Sequence, residues 1–449
     1  MADNATGKGV KIERGASALR AVSIGKKLYK HDVMGSIAHV TALGELGLIT
    51  SGDAEVLQRA LTRIFYDVTS DKIAIPAEED LFDFLDNELK TRVGELGEKV
   101  NVARTRDDRT ALDVRMYVRD AAGEIAEYVK TAVQTLVSVA EVNTLTFMPA
   151  SYGEAEGQPT TAAHSLLARA EAFLRDGARI KKVIESTDGM PLYSAYGTGL
   201  RLPVDKKRVA ELLRFKTVAY NTADAVADTD YIRELLFAVA VFADHAEALA
   251  SDVREYVVKG YATLPENFTV SSEARILNVL PVGADALTTS ARALSSLCRE
   301  AFRNAPILDL CLCAIEAESS VKALVPALNE LVAALSFDAQ ASLKAAQIGY
   351  PTAADCIDYL VAKGENKSSA LEIVTKLCVY CRDNSKRLDT LPVEIYTEFS
   401  DKFGADVVSD MRIRNAVRLR KNDGEPSDVS TRAEIRSINR RIPRIFDKD

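Results

Sequence analysis

Three arginines and two aspartates fall in the short run Asn101-Val-Ala-Arg104-Thr-Arg106-Asp107-Asp108-Arg109. A guanidinium presents its N–H groups as a planar fork that matches a carboxylate or phosphate. Arg104, Arg106 and Arg109 therefore suit an acidic substrate, and they suit equally well the job of tying down a helix end. A second candidate group lies in Met148–Pro159, where Tyr152, Glu154 and Glu156 stand close together. Tyrosine and glutamate do acid–base work when their surroundings tune them; otherwise they are solvated loop residues. The four histidines, His31, His39, His164 and His245, sit in helical patterns and are expected to be structural. Cys378 and Cys381 form a C-x-x-C inside an apolar helical pattern, and no second pair is spaced for zinc. A buried structural role is expected for them, with no metal and no cofactor.

The elements that must position these groups are helical. After the charged run, Val114, Val118, Ala121, Ile125, Tyr128, Ala132, Leu136 and Val139 recur every three or four residues. That spacing predicts one helix from Thr110 to Phe147 with a continuous apolar stripe. A single subunit rarely buries so long a stripe, so a bundle shared between subunits is expected. Further helical patterns run over Ser17–Phe65, Thr161–Glu185, Asp205–Arg214, Thr229–Lys259, Ala284–Phe302 and Ile307–Leu335. Met148–Pro159, Met190–Leu202 and Leu264–Val282 read as loops. From about Ser342 short helices with Gly and Pro punctuation predict a small terminal domain. The expected division is 1–109, 110–345 and 346–449.

Composition narrows the function classes. The chain has 449 residues, 47% of them hydrophobic, with 6% aromatic residues and no tryptophan. Such a balance favours helix-on-helix packing over sheets. A net charge of −8 argues against a nucleic-acid binder and against anchoring on anionic membrane. The longest apolar run, Leu235–Ala243, is far too short to span a bilayer. Six scattered cysteines and a polar start predict a cytoplasmic protein with free thiols. The arginine-rich last forty residues, with acids nearby, read as a salt-bridged surface.

Several segments in order resemble one family. Lys27-Leu-Tyr-Lys-His-Asp-Val-Met-Gly-Ser-Ile-Ala-His39 resembles "D-I-x-G-S-I-A-H", and Glu79-Asp-Leu-Phe82 resembles "E-D-x-H". Ala103–Arg109 resembles "G-R-S-R-N-D-Q", followed by Thr110-Ala-Leu-Asp113-Val-Arg115 in place of "A-T-D-x-R". Met148-Pro149 and Gln158-Pro159 frame the loop written "M-P-G-Y-T-H-L-Q-x-A-Q-P". Met190-Pro-Leu192 opens "M-P-L-G-x-G", and Tyr350–Ala370 resembles "A-T-D-L-A-D-Y-L-V-x-K-G". Together they resemble argininosuccinate lyase, of the fumarase/aspartase superfamily. The resemblance implies an all-α, three-domain fold with a long central bundle, assembled as a homotetramer. It also implies β-elimination of fumarate from a small carboxylate-bearing substrate, in which a loop serine removes a proton beside a carboxylate. The resulting dianion needs fixed donors and positive charge.

Carried over position by position, the resemblance places the catalytic serine at Ser272. The loop lysine falls on Asn278, the loop asparagine on Leu280, and the proline on Pro281. Asp285 stands at the glutamate that pairs with the catalytic histidine; that histidine is Gly153, with Tyr152 before it and Glu154 after it. Gln158 keeps its place. The histidine of "E-D-x-H" is Phe82, and within the charged run the asparagine is Asp107 and the glutamine is Arg109. The segment that grips the arginine end of argininosuccinate has no counterpart near Pro306–Ser320. Three classes follow: a lyase with a changed substrate in specialised biosynthesis, a site rebuilt for another elimination, addition or cyclisation, or a non-catalytic homotetramer.

Overall fold

The computed structural model describes residues 7–76, 80–152, 155–265, 282–300 and 305–447, with side chains undescribed for 7–23, 151–152, 155–156, 282–283 and 300. Among the described residues the fold is helical, and the only sheets are three two-stranded ribbons. No described helix is long and apolar enough to cross a membrane. The chain divides into two compact units, and its long helices pass from one to the other.

The first unit holds Met1–Ala126, Arg179–Val241 and Leu294–Lys322. Helix α1 (Gly7–Glu45) turns at Gly47, which adopts a positive φ of 73°, and α2 (Ser51–Thr69) runs back against it. Thr50 caps α2 by accepting from the Asp53 amide at 3.1 Å. Helix α3 (Leu81–Val93) is capped by Asp80 and continues as a 3-10 segment, Gly94–Asn101. Leu28 and Leu43 of α1, Leu57 and Ile64 of α2, and Leu85 and Leu89 of α3 are fully buried.

Helix α4 (Arg106–Glu141) spans 36 residues, about 54 Å at 1.5 Å per residue. It begins four residues before the expected start and stops well short of Phe147. Asn143 ends it: its side-chain amide donates to the Val139 carbonyl at 2.8 Å and its oxygen accepts from Thr146 at 3.0 Å. The expected stripe is buried at Val114, Val118, Ala121, Ile125, Ala132 and Leu136. Burial also extends to Ala122, Val129, Val133, Val137 and Ala140, so the apolar face is wider than a single row.

The loop expected over Met148–Pro159 is instead a hairpin of β1 (Phe147–Tyr152) and β2 (Ala155–Thr161). Pro149 pairs with Pro159, neither of which has an N–H to give, and the register shifts between Pro149 and Ser151. Gly157 permits that irregularity, since a Cβ there would lie 2.7 Å from the Ala150 carbonyl oxygen. Helix α5 (Ala162–Ser186) follows, then β3 (Gly189–Met190), α6 (Lys206–Leu212) and β4 (Thr217–Val218), with β3 and β4 parallel. Next come α7 (Thr222–Ala227), α8 (Asp230–Val258), β5 (Ala262–Thr263), α9 (Val282–Glu300), α10 (Ile307–Ala333) and β6 (Ser336–Phe337), which pairs with β5.

The second unit takes in Glu127–Ala178, Phe242–Ala293 and Ala323–Asp449. Its C-terminal part contains α11 (Ala339–Ala345), α12 (Ala353–Ala362), α13 (Lys367–Asp383), α14 (Val393–Phe399), α15 (Val407–Asp410), α16 (Ile413–Leu419) and α17 (Asp428–Phe446). Cys356, Leu360, Val374, Leu377, Tyr396 and Phe403 belong to a core of their own. The cysteines are free, and burial pushes the Cys378 thiol up to about 11. Cys356 meets the Met411 sulfur at 3.1 Å. No metal-ligating cluster occurs among the described residues.

Candidate active site

The N-terminus of α4 explains the charged run. Thr105 precedes the helix and Asp108 is its third residue. The Thr105 amide donates to Asp108 Oδ2 and the Asp108 amide donates to Thr105 Oγ1, both at 3.3 Å. This reciprocal cap fixes the helix start. Asp107, in the first turn, is exposed at the end of the helix where carboxylates are favoured.

Arg109 is 5% exposed and lies within carboxylates. Its Nε and Nη2 donate to the two oxygens of Asp32 at 2.9 and 2.8 Å, and Nη1 donates to Asp86 at 3.0 Å. Phe82 lies beneath it, with the guanidinium 4.5 Å from the ring centroid. Expected at the substrate, Arg109 has each of its three nitrogens serving Asp32 or Asp86. The residue pins α4 to α1 and α3. Arg106 is half-exposed, paired with Asp80 at 2.5 Å and more loosely with Asp83 at 3.7 Å.

Arg104 differs from both. It is 9% exposed, and Nη1 donates to Ser36 Oγ at 2.8 Å, but Nε and Nη2 are buried with no hydrogen-bond partner among the described residues. Burial, with Arg109 nearby, lowers its guanidinium to about 10. A buried donor without an acceptor costs free energy, and among the described residues that cost at Arg104 is uncompensated. Beneath it two carboxyls meet. Burial would raise Asp32, but the Arg109 charge holds it below the usual range; burial and the neighbouring Asp32 together hold Asp113 well above it. The two carboxyls are thus shifted in opposite directions.

The loop after β3 closes the other side. Tyr193 and Ala195 occupy the two glycine positions of "M-P-L-G-x-G" and keep left-handed backbone, with φ of 69° and 50°. That conformation is costly for side-chain-bearing residues. Tyr193 is 1% exposed and its hydroxyl meets His39 Nδ1 at 2.8 Å. Burial, reinforced by Arg104, lowers His39 well below its ordinary value, so the ring is neutral. Burial raises Asp108 to about 6, although the Thr105, Ala195 and Ser194 amides face it.

The remaining expected residues fall elsewhere or outside the description. Gln158 is exposed on β2, and Asp285 on α9 pairs with Arg254 at 2.9 Å. Both belong to the second unit, whereas Arg104, Arg106, Asp107 and Arg109 belong to the first. Ser272, Asn278 and Glu154 lie outside the described residues, as do Gly153 and the Tyr152 side chain. The other three histidines are held by partners: His31 by Asp120, His164 by Thr160 and the Gly424 carbonyl, and His245 by Asp176. Asp32, Ser36 and Tyr193 were given no individual role from sequence, and His39 was expected only to be structural. The spacing of Asp32, Ser36 and His39 on one face of α1 was the available signal.

Comparison with known proteins completes the assignment. The lyase family matches residues 18–273, and the C-terminal region of argininosuccinate lyase matches 350–418. The argininosuccinate lyase of Ruminiclostridium cellulolyticum is 31% identical over 423 residues, covering 91% of each chain. The enzyme of Desulforudis audaxviator is 30% identical over 437 residues, covering 95% of each. The chain belongs to the argininosuccinate lyase family. In fold it is similar to a solved EDDS lyase in complex with formate, with a TM-score of 0.81, 21% identity, and coverage of 97% of this chain and 89% of that one. It is a divergent member of that family.

Proposed function

We propose that this chain is a carbon–nitrogen lyase whose substrate bears a carboxylate and is not argininosuccinate. The observation that carries the reading is Arg104, a buried guanidinium with two nitrogens lacking acceptors at the capped end of α4. A substrate carboxylate would supply those acceptors as a charge-assisted pair. Arg106 and Asp107, exposed in the first turn, would stand at the entrance. By resemblance Ser272 removes the proton, and Asn278, Tyr152, Glu154, Gln158 and Asp285 contribute from elsewhere. Asn278 is neutral where the family lysine is charged. One preorganised contact to a developing anion is worth roughly 3 kcal/mol, so the intermediate here is less charged or is stabilised differently.

Fumarate is expected to raise the melting temperature of the purified protein by linkage, and argininosuccinate is expected to release no fumarate. Absence of any shift with fumarate would remove the carboxylate reading. Turnover of argininosuccinate would remove the changed substrate. For the reacting group, Ser272→Ala is expected to abolish elimination from the native substrate while leaving fumarate binding intact.

Gly153 in the histidine position favours a second reading, a rebuilt site or a binding homotetramer without catalysis. The assembly itself is part of the proposal, supported by Met34 on α1 and Phe237 on α8, which are 50% and 52% exposed on long helices.

A further inference from the structure

A cleft of about 480 Å³ opens in the first unit, away from the knot of arginines, between the end of α5, the ribbon β3–β4 and α7. Arg115 lines it. This side chain is 4% exposed, its Nη2 donates to Asp228 at 2.7 Å, and it lies over the Tyr231 ring at 4.3 Å. Its Nε is buried without a partner among the described residues. Gly189 adds no side chain over it; a Cβ there would be 3.9 Å from Nη1.

The rim has the opposite character. Asp188 accepts the Lys216 amide at 2.8 Å and pairs with its ammonium at 3.6 Å, so those charges cancel. Glu185 and Asp224 are exposed and make no ion pair among the described residues. Tyr220 stands fully exposed on the same rim. A guanidinium held through Nη2 by a single carboxylate therefore lines a cleft whose edge has two carboxylates without an ion pair among the described residues and a bare aromatic face.

We propose that this cleft binds a basic α-amino acid. The ligand carboxylate accepts from Arg115, its cationic groups meet Glu185 and Asp224, and a planar cation stacks on Tyr220. Arg115 lies two turns along α4 from Asp108, about 10 Å, and β3 leads from the cleft into the loop that carries Tyr193. Occupancy thus touches both elements that frame Arg104. The binding does not require the reaction proposed above.

Calorimetric titration of the full chain with L-arginine tests it. Saturable one-to-one binding is expected, with a dissociation constant between about 10 μM and 1 mM. The double variant Glu185→Gln/Asp224→Asn should weaken it at least tenfold, and agmatine, which lacks the carboxylate, should bind at least tenfold more weakly than L-arginine. Absence of saturation up to about 10 mM overturns the site, as does undiminished binding by the double variant. Equal binding of agmatine overturns the amino-acid assignment. The double variant should keep its fumarate-induced rise in melting temperature. A chain that binds L-arginine through the cleft but not fumarate would leave this inference standing and remove the reading of the knot.

Discussion

Asp32 and Asp113 are two buried carboxyls with opposite roles. Asp32 holds Arg109 with two bonds, and that charge keeps it below the usual carboxylate range; burial and the neighbouring Asp32 hold Asp113 well above it. Asp32→Asn strands a buried guanidinium and is expected to cost about 3–5 kcal/mol, whereas Asp113→Asn keeps a neutral donor and should cost about 1 kcal/mol or less. Chemical denaturation of both variants checks the ordering, and equal losses would refute it. Asp108 and His39 contribute to the pH response with opposite sign. Asp108 titrates near 6 in the fold, above its ordinary 3.8, so its stabilising contribution is full in acid and lost as pH rises through 6. His39 is held well below its ordinary 6.5, so its contribution is present above that value and lost as pH falls. Asp108→Asn should therefore gain on the wild type between pH 4 and 7, by about 1–2 kcal/mol. His39→Gln should flatten the acid limb below pH 6.5. Melting curves across that range would expose a wrong sign in either.

At the scale of elements, helix contacts are decided by small residues. Gly44 in the last turn of α1 faces Ala54 of α2, where an added Cβ would come within 2.8 Å of the alanine Cβ. Helix propensity favours Gly44→Ala by about 1 kcal/mol, but the clash opposes it and neither methyl can rotate away. A net loss of about 1–3 kcal/mol is expected, and adding Ala54→Gly should recover most of it. A variant as stable as the wild type would show that the α1–α2 crossing yields freely. The same scale shows why the hairpin at Met148–Pro159 escapes sequence reading. Two prolines and a glycine look like loop punctuation, yet Pro149 and Pro159 face each other at positions that ask for no N–H bonds. The end of α4 was misplaced for a related reason: Val142 and Leu145 continue the apolar pattern but are 81% and 64% exposed, and Asn143 stops the helix through its own side chain.

Over the whole molecule, the chain divides into two compact units, with the boundaries falling inside its long helices. Within the second, the cluster around Leu360, Leu377 and Tyr396 is independent of the long helices. We propose residues 346–449 as a domain in its own right, following 1–109 and 110–345. Limited proteolysis is expected to cut first between α11 and α12, near Gly349, which has an open, positive-φ backbone of 75°. First cuts inside α12 or α13 would refute that boundary. Light scattering on the intact protein is expected to give four times the 48.8 kDa chain mass; a monomer would remove the shared bundle from the account.

The sequence by itself determined the helical class and the family, and it marked the charged run at the start of α4, because local periodicity and contiguous motifs are one-dimensional signals. It could not say which of three neighbouring arginines is free. That depended on Asp32, Asp86 and Ser36, distant in the chain, which saturate Arg109 and leave Arg104 two nitrogens short of acceptors. Nor could it place Tyr193 in a glycine's backbone conformation beside His39. Hydrogen-bond satisfaction and burial belong to the packed fold, so the role of each charged residue was decided only in three dimensions.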